Sequence, residues 1–304
     1  MTLAIQTFNL TKTYGWNRGI RDINLAIEQG EIFGFLGPNG SGKSTTLRTL
    51  LGFMEPTSGR AEIFGTDVHR HPMEVLAKVG NLPTEFSLEN RMTGREMVRL
   101  FGEFRGLTDF SFAEEIADRL DADLDRPMRR LSRGNKQKIG IVQAMFHRPD
   151  VIVLDEPTGG LDPLVQESFI QLLVEAREAG QTIFFSSHVL SEIERIADHV
   201  GIIRDGEMVA VERPHDLTSR AHRRVHARFR ESPPPETLTA LERLDGVEKF
   251  TVTGPEVSFS MYGDINEAMQ LLTAHPLQSL DVERPSLEEI FLTFYGPSAG
   301  EDER

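Results

Sequence analysis

The chain contains no cysteine among its 304 residues. This absence excludes disulfide bonds, thiolate metal sites and thiol nucleophiles, and it is consistent with a reducing compartment. The first residues, "MTLAIQTFNLTKTYG", contain no basic segment followed by a long apolar one, so we expect no signal peptide. No apolar run approaches the roughly 18–20 residues that a membrane-spanning helix needs. A role at a membrane would therefore require a second chain that spans it.

Basic residues are fewer than acidic ones. The chain has 33 Lys and Arg against 47 Asp and Glu, which gives a formal net charge of −14. A negative surface repels nucleic-acid phosphates, so we expect no nucleic-acid partner. Hydrophobic residues make up 39% and charged residues 26%, which is typical of a globular protein with a sizeable core. The length suits one large domain, or a large domain with a small one.

Residues 1 to about 215 alternate short apolar runs with helical segments, which predicts an α/β domain. The runs "EIFGFLG", "DVIVLDEP" and "QTIFFSSH" are continuously apolar, as are the buried strands of parallel sheets. The run "GIIRDGEMVAV" predicts a hairpin with an Asp-Gly turn. The helices that we predict in this part cover residues 43–51, 107–123, 135–149, 165–180 and 191–200.

The composition changes after residue 215. Residues 216–224 are polar and basic, and we predict a connector there. Residues 225–297 predict the order strand–helix–strand–strand–helix–strand with a final helix, which is the ferredoxin-like, split-βαβ arrangement. The chain is thus predicted to combine an α/β domain with a small α+β module. We expect residues 298–304 to form a disordered tail.

A glycine-rich segment, "GPNGSGKSTT", follows the first buried run and contains no acidic residue. It fits the P-loop pattern G-x-x-x-x-G-K-[ST], in which backbone N–H groups surround phosphates and a helix points its positive end at them. In this pattern Lys43 reaches the β- and γ-phosphates, and the Ser44 hydroxyl ligates Mg²⁺. The residues of this segment that we expect to bind nucleotide are Gly37, Pro38, Asn39, Gly40, Ser41, Gly42, Lys43, Ser44 and Thr45.

Two further strand ends carry candidate catalytic residues. The run "VIVLDE" places the Asp155 carboxylate near Mg²⁺, and Glu156 can polarise a water molecule for attack on the γ-phosphate. His188 follows the run "TIFFSS", and strand ends of α/β sheets face the ligand crevice. A neutral imidazole there can hydrogen-bond the γ-phosphate and the attacking water. We therefore predict Glu156, His188 and Lys43 as catalytic residues.

The segment "RRLSRGNKQKIGIVQAMFHRPDVIVLDEPTGGLDP" resembles the ABC ATPases, a class of P-loop NTPases. Ser132, Gly134 and Asn135 stand at the place of the family signature LSGGQ, about one helix before the strand that ends at Asp155. These residues begin a helix, and helix N-termini bind anions. The resemblance implies that the signature binds the nucleotide held by a second cassette.

Other motifs extend the resemblance over residues 1 to about 215. Asp162 resembles the D-loop aspartate, Tyr14 the aromatic residue that stacks on adenine, and His188 the switch histidine. The resemblance implies a nucleotide-binding domain over residues 1–215, with a helical subdomain at about residues 85–148. It also implies that two cassettes form a dimer with two ATP molecules between them. Because this chain carries one complete set of motifs, the second cassette is expected to be an identical chain.

The sequence departs from the family pattern in two places. The signature has Arg133 and Asn135 where glycine and glutamine are usual. A left-handed backbone would strain an arginine, so we expect Arg133 to adopt an unstrained conformation and face the partner or solvent. In "LPTEF", Thr84 follows Pro83 where the family usually has glutamine. Either the Thr84 hydroxyl or the side chain of Glu85 can take over the contact with Mg²⁺ or water.

Both departures, and the C-terminal "PSLEEIFLTFYG", resemble a subgroup of ABC exporters with separate membrane subunits. The subgroup is often linked to antibiotic or multidrug export. The resemblance implies an ATPase that uses ATP and Mg²⁺, binds integral membrane permease subunits and acts at the cytoplasmic face of the cell membrane. The segment from Phe86 to Met97 is expected to contact the membrane subunit.

Other functions remain open at this point. A soluble ABC ATPase acting on the ribosome or on nucleic acid usually has two cassettes or a long coiled coil, and this chain has neither pattern. A regulatory module that binds ATP without turnover would be expected to lack Glu156 or His188. An exporter of a lipid or polysaccharide shares all the motifs named above.

Overall fold

The computed structural model describes residues 2–15, 18–84, 91–219 and 223–283. The chain divides into two compact units, Met1–Arg213 and Pro214–Arg304. Each unit buries a cluster of apolar side chains of its own.

The strands of the first unit form two sheets. In chain order they are β1 (Leu3–Tyr14), β2 (Arg18–Ile23), β3 (Ala26–Glu28), β4 (Ile32–Leu36), β5 (Ser58–Ile63), β6 (Thr66–Asp67), β7 (Val79–Leu82), β8 (Val151–Asp155), β9 (Thr182–Ser187), β10 (His199–Arg204) and β11 (Glu207–Glu212). Strands β4, β8 and β9 are buried along their whole length. This is the pattern of a parallel sheet that is covered on both faces.

The helices of the first unit connect these strands. In chain order they are α1 (Lys43–Leu50), α2 (Pro72–Ala77), α3 (Gly94–Phe104), α4 (Ser111–Arg119), α5 (Arg133–Met145), α6 (Pro163–Glu178) and α7 (Leu190–Ile196). Several begin at side-chain caps that the sequence supplies. Thr93 and Glu96 form a capping box at α3. Ser132 caps α5 and Asp162 caps α6.

The larger sheet has the strand order β11-β10-β4-β9-β8-β7. Neighbours from β10 to β7 are parallel, and β11 adds an antiparallel edge. The second sheet, β2-β1-β5-β6 with β3 also paired to β1, is antiparallel. Apolar side chains of both sheets and of α1 form one buried cluster. The predicted α/β class of this part is confirmed.

The second unit is a small α+β module. Its elements are α8 (Pro214–Ser219), β12 (Arg223–Phe229), α9 (Pro235–Glu242), β13 (Val247–Thr253), β14 (Glu256–Met261), α10 (Asn266–Thr273) and β15 (Leu277–Glu283). The sheet order is β13-β14-β12-β15, and all neighbours are antiparallel. From β12 to β15 the elements follow the predicted ferredoxin-like order. The predicted final helix and the tail 298–304 lie outside the described residues.

Three predicted helices extend well past the observed ends. The helix predicted at 135–149 is α5, which begins two residues earlier and ends at Met145. The helix predicted at 107–123 is only α4, because the Asp109 carboxylate accepts the N–H of Ser111 at 2.9 Å and Asp121 has a left-handed φ of 49°. The helix predicted at 191–200 ends at Ile196. There the Asp198 carboxylate accepts the N–H of Ile32 at 2.9 Å, which draws the chain into β10 beside β4.

The predicted connector 216–224 is also corrected. Its first residues belong to α8, and Arg223 and Arg224 begin β12. Polar composition misled the prediction, because a short surface helix and an exposed strand end are polar too. In the described part of the chain, every helix is too short or too polar to cross a membrane.

Candidate functional site

The ends of three neighbouring strands meet at one edge of the larger sheet. Strands β4, β9 and β8 are adjacent and parallel, with Leu36 opposite Ser187 and Asp155 opposite Ser186. The glycine-rich loop follows β4, and the other two strands lead into His188 and Glu156. Parallel pairing therefore brings together three candidate segments that are far apart in the chain.

Two glycines of the loop are required by close approach. Gly42 has a φ of 110°, and a Cβ there would lie 2.7 Å from Cγ2 of Ile20. A Cβ at Gly37 would lie 2.4 Å from Oγ of Ser41 and 2.7 Å from the carbonyl oxygen of Ile203. A side chain at either position would displace the loop between β4 and α1.

The ammonium group of Lys43 lies between this loop and the end of β8. Lys43 is only 5% exposed. Its Nζ lies 2.6 Å from the carbonyl oxygen of Gly37 and 3.3 Å from that of Pro38. The same atom lies 3.2 Å from Oε1 of Glu156. The ammonium group is thus fixed at the point where the loop and the candidate catalytic carboxylate meet.

The loop and the start of α1 offer hydrogen-bond donors to an anion. Helix α1 has no acidic residue in its first turn. Its N-cap residue is Gly42, so no side chain of the N-cap occupies the first N–H groups. Free N–H groups at a helix start bind phosphate. Oγ of Ser41 is buried and has no hydrogen-bond partner among the described residues. A bound anion can satisfy such a hydroxyl.

Ser186 holds the two acidic residues at the end of β8. Asp155 is 5% exposed, and its carboxylate accepts a hydrogen bond from Oγ of Ser186 at 2.6 Å. The Glu156 N–H donates to Oγ and to the carbonyl oxygen of Ser186 at 3.1 and 3.2 Å. Glu156 has a left-handed φ of 53°, which costs a non-glycine residue about 1–2 kcal/mol. Backbone outliers of this kind cluster at functional sites.

The Glu156 carboxylate contacts both other predicted catalytic side chains. Its Oε2 contacts Nδ1 of His188, and its Oε1 pairs with Lys43. Nε2 of Gln137, on α5, donates to the carbonyl oxygens of Glu156 and Pro157 at 3.3 and 3.0 Å. A carboxylate held in this way can accept a proton from a water molecule. The structure brings the three residues together, and their catalytic roles stay a prediction.

These groups line a cavity of about 850 Å³, which is within the usual range for cofactor sites. The lining does not include Gly37, Ser41 or Asp155, although each is next in sequence to a residue that lines the cavity. The predicted residues that line the cavity are Tyr14, Pro38, Asn39, Gly40, Gly42, Lys43, Ser44, Thr45, Thr84, Glu156 and His188.

Tyr14 and Thr84 supply different chemistry to this cavity. Tyr14, at the end of β1, is half-exposed, and Nζ of Lys12 lies 5.7 Å from its ring centroid. Its hydroxyl contacts the sulfur of Met54, and its exposed ring can stack on a base. Oγ1 of Thr84 is buried with no hydrogen bond to the described residues. Glu85, the alternative, lies outside the described residues.

The signature residues that we predict to bind nucleotide do not line this cavity. Ser132, Gly134, Asn135 and Asp162 line a separate recess of about 690 Å³, which shares no lining residue with the nucleotide cavity. Oγ of Ser132 accepts the N–H of Asn135 at 3.2 Å, and Oδ1 of Asn135 accepts the N–H of Asp123 at 3.0 Å. Of the signature, Ser132, Gly134 and Asn135 therefore do not reach the phosphate loop of their own chain, and Arg133 is the signature residue that does line its cavity.

Arg133 and Gly134 differ in what their positions require. Arg133 begins α5 with a helical backbone, so it is not strained. Its side chain is exposed and lines the nucleotide cavity, not the recess. A Cβ at Gly134 would lie 2.5 Å from the carbonyl oxygen of Gly160, so this position requires glycine.

Comparison with known proteins agrees with this arrangement. The family model described as ABC transporter matches residues 20–159. Over 303 residues the chain is 33% identical to the Bacitracin transport ATP-binding protein BcrA of Bacillus licheniformis, and the match covers 97% of this chain and 98% of that protein. The chain belongs to the ABC transporter ATP-binding proteins. The resemblance inferred from the motifs is confirmed.

Other members of the family are similar to this ABC cassette. It is 31% identical over 305 residues to the Linearmycin resistance ATP-binding protein LnrL of Bacillus subtilis (strain 168), with 96% of this chain and 98% of that protein covered. The dimeric structure of a post-hydrolysis state of an ATP-binding cassette bound to ADP and Pi has a TM-score of 0.62 and 27% identity, covering 69% of this chain and 98% of that one. The cassette is an ATPase, and its predicted fold class is confirmed.

Sequence reasoning missed several residues that surround the catalytic groups. Gln137 is a buried polar residue in α5, and its place in the signature helix is the available signal. For Ser186 there is no local signal, because its partners lie on the neighbouring strand. The further residues that line the nucleotide cavity are Gly19, Arg133, Gln137, Gly159 and Asp205.

Proposed function

We propose that two copies of this cassette close around two ATP molecules and drive export through separate membrane permease subunits. The observation that carries the dimer is the separation of the signature recess from the nucleotide cavity. Ser132 and Gly134 of the partner subunit complete the site by lying over the γ-phosphate. Asn135 and Asp162 of the partner subunit line the same surface.

The reaction is ATP hydrolysis by an activated water. Glu156 accepts a proton from the attacking water, and His188 orients it beside the γ-phosphate. Lys43 and the donors of the partner's signature stabilise the negative charge that develops in the transition state. Tyr14 stacks on adenine, and the loop from Gly37 to Thr45 holds the phosphates.

The residues present fit a magnesium ion bound with the nucleotide. Ser44 and Thr84 offer hydroxyl oxygens and Asp155 a carboxylate, and Mg²⁺ prefers oxygen ligands together with substrate phosphates. Within the described residues no group of three or more His, Asp or Glu side chains forms a metal site of its own. The ion is therefore expected to depend on the nucleotide. When bound, Mg²⁺ neutralises charge on the β- and γ-phosphate oxygens.

The proposed cargo is an antibiotic or another amphipathic compound. Its support is the similarity, over nearly the whole chain, to proteins named for bacitracin transport and linearmycin resistance. The cassette then acts at the cytoplasmic face of the cell membrane, where residues 1–215 bind nucleotide and residues 225–297 form an accessory module. Of the segment proposed to contact the permease, residues 86–90 lie outside the described part.

An affinity pull-down tests the partner. The Glu156→Gln chain, which should retain ATP, is recovered with ATP and Mg²⁺ from detergent-solubilised membranes of its own source, and its partners are identified by mass. We expect a multi-span membrane protein at roughly equal stoichiometry. Recovery only with ribosomes, nucleic acid or soluble proteins would overturn the export role and leave the ATPase chemistry standing.

A growth assay tests the cargo. Cells that lack the chain are complemented with the wild type or with Glu156→Gln, and the inhibitory concentrations of bacitracin and linearmycin are compared. We expect protection only from the wild type. Equal sensitivity of both strains to these and other amphipathic antibiotics would favour a lipid or polysaccharide cargo.

A further inference from the structure

A buried carboxylate that the proposed chemistry does not use lies beside the catalytic residues. Glu192 is in the first turn of α7, four residues after His188, and it is 7% exposed. Burial raises the pKa of this carboxyl, because desolvation disfavours the charged form. A carboxylate is costly to bury unless it is hydrogen-bonded, so its partners indicate what it does.

One oxygen of Glu192 accepts two hydroxyl hydrogen bonds. Oγ1 of Thr158 and Oγ of Ser187 each lie 3.0 Å from Oε2 of Glu192. Both hydroxyl residues are buried as well, with exposures of 7% and 1%. We call Thr158, Ser187 and Glu192 the carboxylate bridge.

The bridge joins the two segments that carry the catalytic pair. Thr158 lies two residues after Glu156, and Ser187 immediately precedes His188. The Glu156 N–H is already tied to Ser186, on the near side of the turn that follows β8. The bridge ties the far side of that turn to the end of β9.

The hydrogen bond from Thr158 to Glu192 helps to fix the backbone of Glu156. Its left-handed φ of 53° is unfavourable, and such a conformation persists only where the surroundings fix it on both sides. Ser186 fixes the start of the turn, Gln137 fixes the carbonyls of Glu156 and Pro157, and Thr158 anchors the next residue to Glu192.

We propose that Glu192 is a positioning residue of the ATPase. By accepting from both hydroxyls, it keeps the carboxylate of Glu156 against Nδ1 of His188. The inference rests on the proposed roles of those two residues. Loss of the bridge lets the pair separate, which slows the chemical step, whereas the phosphate loop that binds ATP is untouched.

Paired variants at Thr158 test this with little change of volume. Thr158→Val removes the hydroxyl and keeps the shape, and Thr158→Ser keeps the hydroxyl. We expect Thr158→Val to lower kcat about tenfold, with KM and the dissociation constant for ATP within twofold of wild type. Thr158→Ser should keep kcat within twofold of the wild-type value. A purely structural role would not produce this division between kcat and binding, nor the rescue.

The carboxylate itself is tested by Glu192→Gln. Glu194 lies on the same helix and is exposed, so Glu194→Gln is the matched control and should leave kcat unchanged. Glutamine keeps one acceptor oxygen but loses the charge that strengthens both hydrogen bonds, so we expect Glu192→Gln to lower kcat at least twofold. The double variant with Thr158→Val should lose no more than the more severe single variant, because the two residues act through one contact. Should Glu192→Gln fail to fold, the Thr158 pair decides.

The outcomes separate this inference from the proposed function. Wild-type kcat in Thr158→Val and Glu192→Gln, together with loss of turnover in Glu156→Gln and His188→Ala, would overturn the positioning role alone. Wild-type turnover in Glu156→Gln or His188→Ala would overturn the proposed chemistry and this inference with it. Multiplying losses in the double variant would show that Thr158 and Glu192 act separately, and would also overturn the bridge.

Discussion

Oε1 of Glu156 lies 3.2 Å from Nζ of Lys43. The group proposed to activate water is thus paired with the cation proposed to hold the β- and γ-phosphates. The two groups are in contact in the cavity but have different proposed roles. Substitution of Lys43 should therefore weaken ATP binding, and substitution of Glu156 should slow turnover.

The Glu156→Gln variant should bind ATP at least as tightly as the wild type and hydrolyse it about 10²–10⁴-fold more slowly. Glutamine keeps the shape but cannot act as a general base, and it removes a negative charge beside the phosphates. Nucleotide affinity by fluorescence titration and phosphate release over time check this. Wild-type turnover would contradict the role of Glu156.

The Lys43→Ala variant should lose ATP affinity by about 10- to 100-fold. Hydrogen bonds to charged groups contribute about 1.5–3 kcal/mol, and the change also leaves the Glu156 carboxylate unpaired beside the phosphates. Equilibrium binding at matched protein concentration measures the loss. Lys136 is half-buried and lies outside the cavity lining, so Lys136→Ala is the control. Unchanged affinity in Lys43→Ala would contradict the phosphate loop.

The Gly134→Ala variant should bind ATP as a monomer and fail to dimerise. A Cβ at this position would lie 2.5 Å from the carbonyl oxygen of Gly160. The signature surface must therefore shift, whereas the nucleotide cavity of the same chain does not include Gly134. Size-exclusion chromatography with ATP, in the Glu156→Gln background, measures dimer formation. A stable ATP dimer of Gly134→Ala would count against the recess as a partner site.

Mixed dimers extend that test. A Lys43→Ala chain and a Gly134→Ala chain are each expected to be inactive alone. In the mixed dimer, one of the two nucleotide sites pairs the intact phosphate loop of the Gly134→Ala chain with the intact signature of the Lys43→Ala chain. Partial recovery of ATPase activity on mixing supports the arrangement in trans, and its absence at concentrations where the wild type dimerises would oppose it.

The first unit should lose stability as the pH falls from about 6.5 towards 4. Burial, with repulsion from Arg105, lowers the pKa of His147 to about 4, against an ordinary value of 6.5. The unfolded chain therefore binds a proton in this window that the folded chain does not, so acid favours unfolding by up to about 3 kcal/mol.

Urea unfolding at pH 7 and at pH 5 measures this dependence. His147→Gln should flatten it, since glutamine does not titrate. His71→Gln, at an exposed histidine of the same unit, should leave it unchanged. Equal pH dependence in the wild type and in His147→Gln would assign the effect to other groups.

Contiguous patterns were enough to predict the chemistry of the phosphate loop. The loop residues are consecutive, and glycine, lysine and a small hydroxyl residue in that spacing leave little choice of ligand. The same holds for the buried strands, whose apolar runs predict a parallel sheet. Helix ends were harder to predict. The Asp109 carboxylate fixes the start of α4 by a local hydrogen bond, and the left-handed backbone of Asp121 follows the end of that helix. The Asp198 carboxylate, after α7, bonds to Ile32 on a strand that is distant in the chain.

The amino-acid order alone determined which residues have phosphate-binding, carboxylate and imidazole chemistry, because each motif is a short stretch of chain. Only the tertiary structure decided which of them meet. The parallel register of β4, β9 and β8 brings Lys43, Glu156 and His188 into contact. The same fold keeps Ser132, Gly134 and Asn135 in a separate recess and joins Thr158 and Ser187 through Glu192. These contacts depend on pairing between distant segments, which no local pattern specifies.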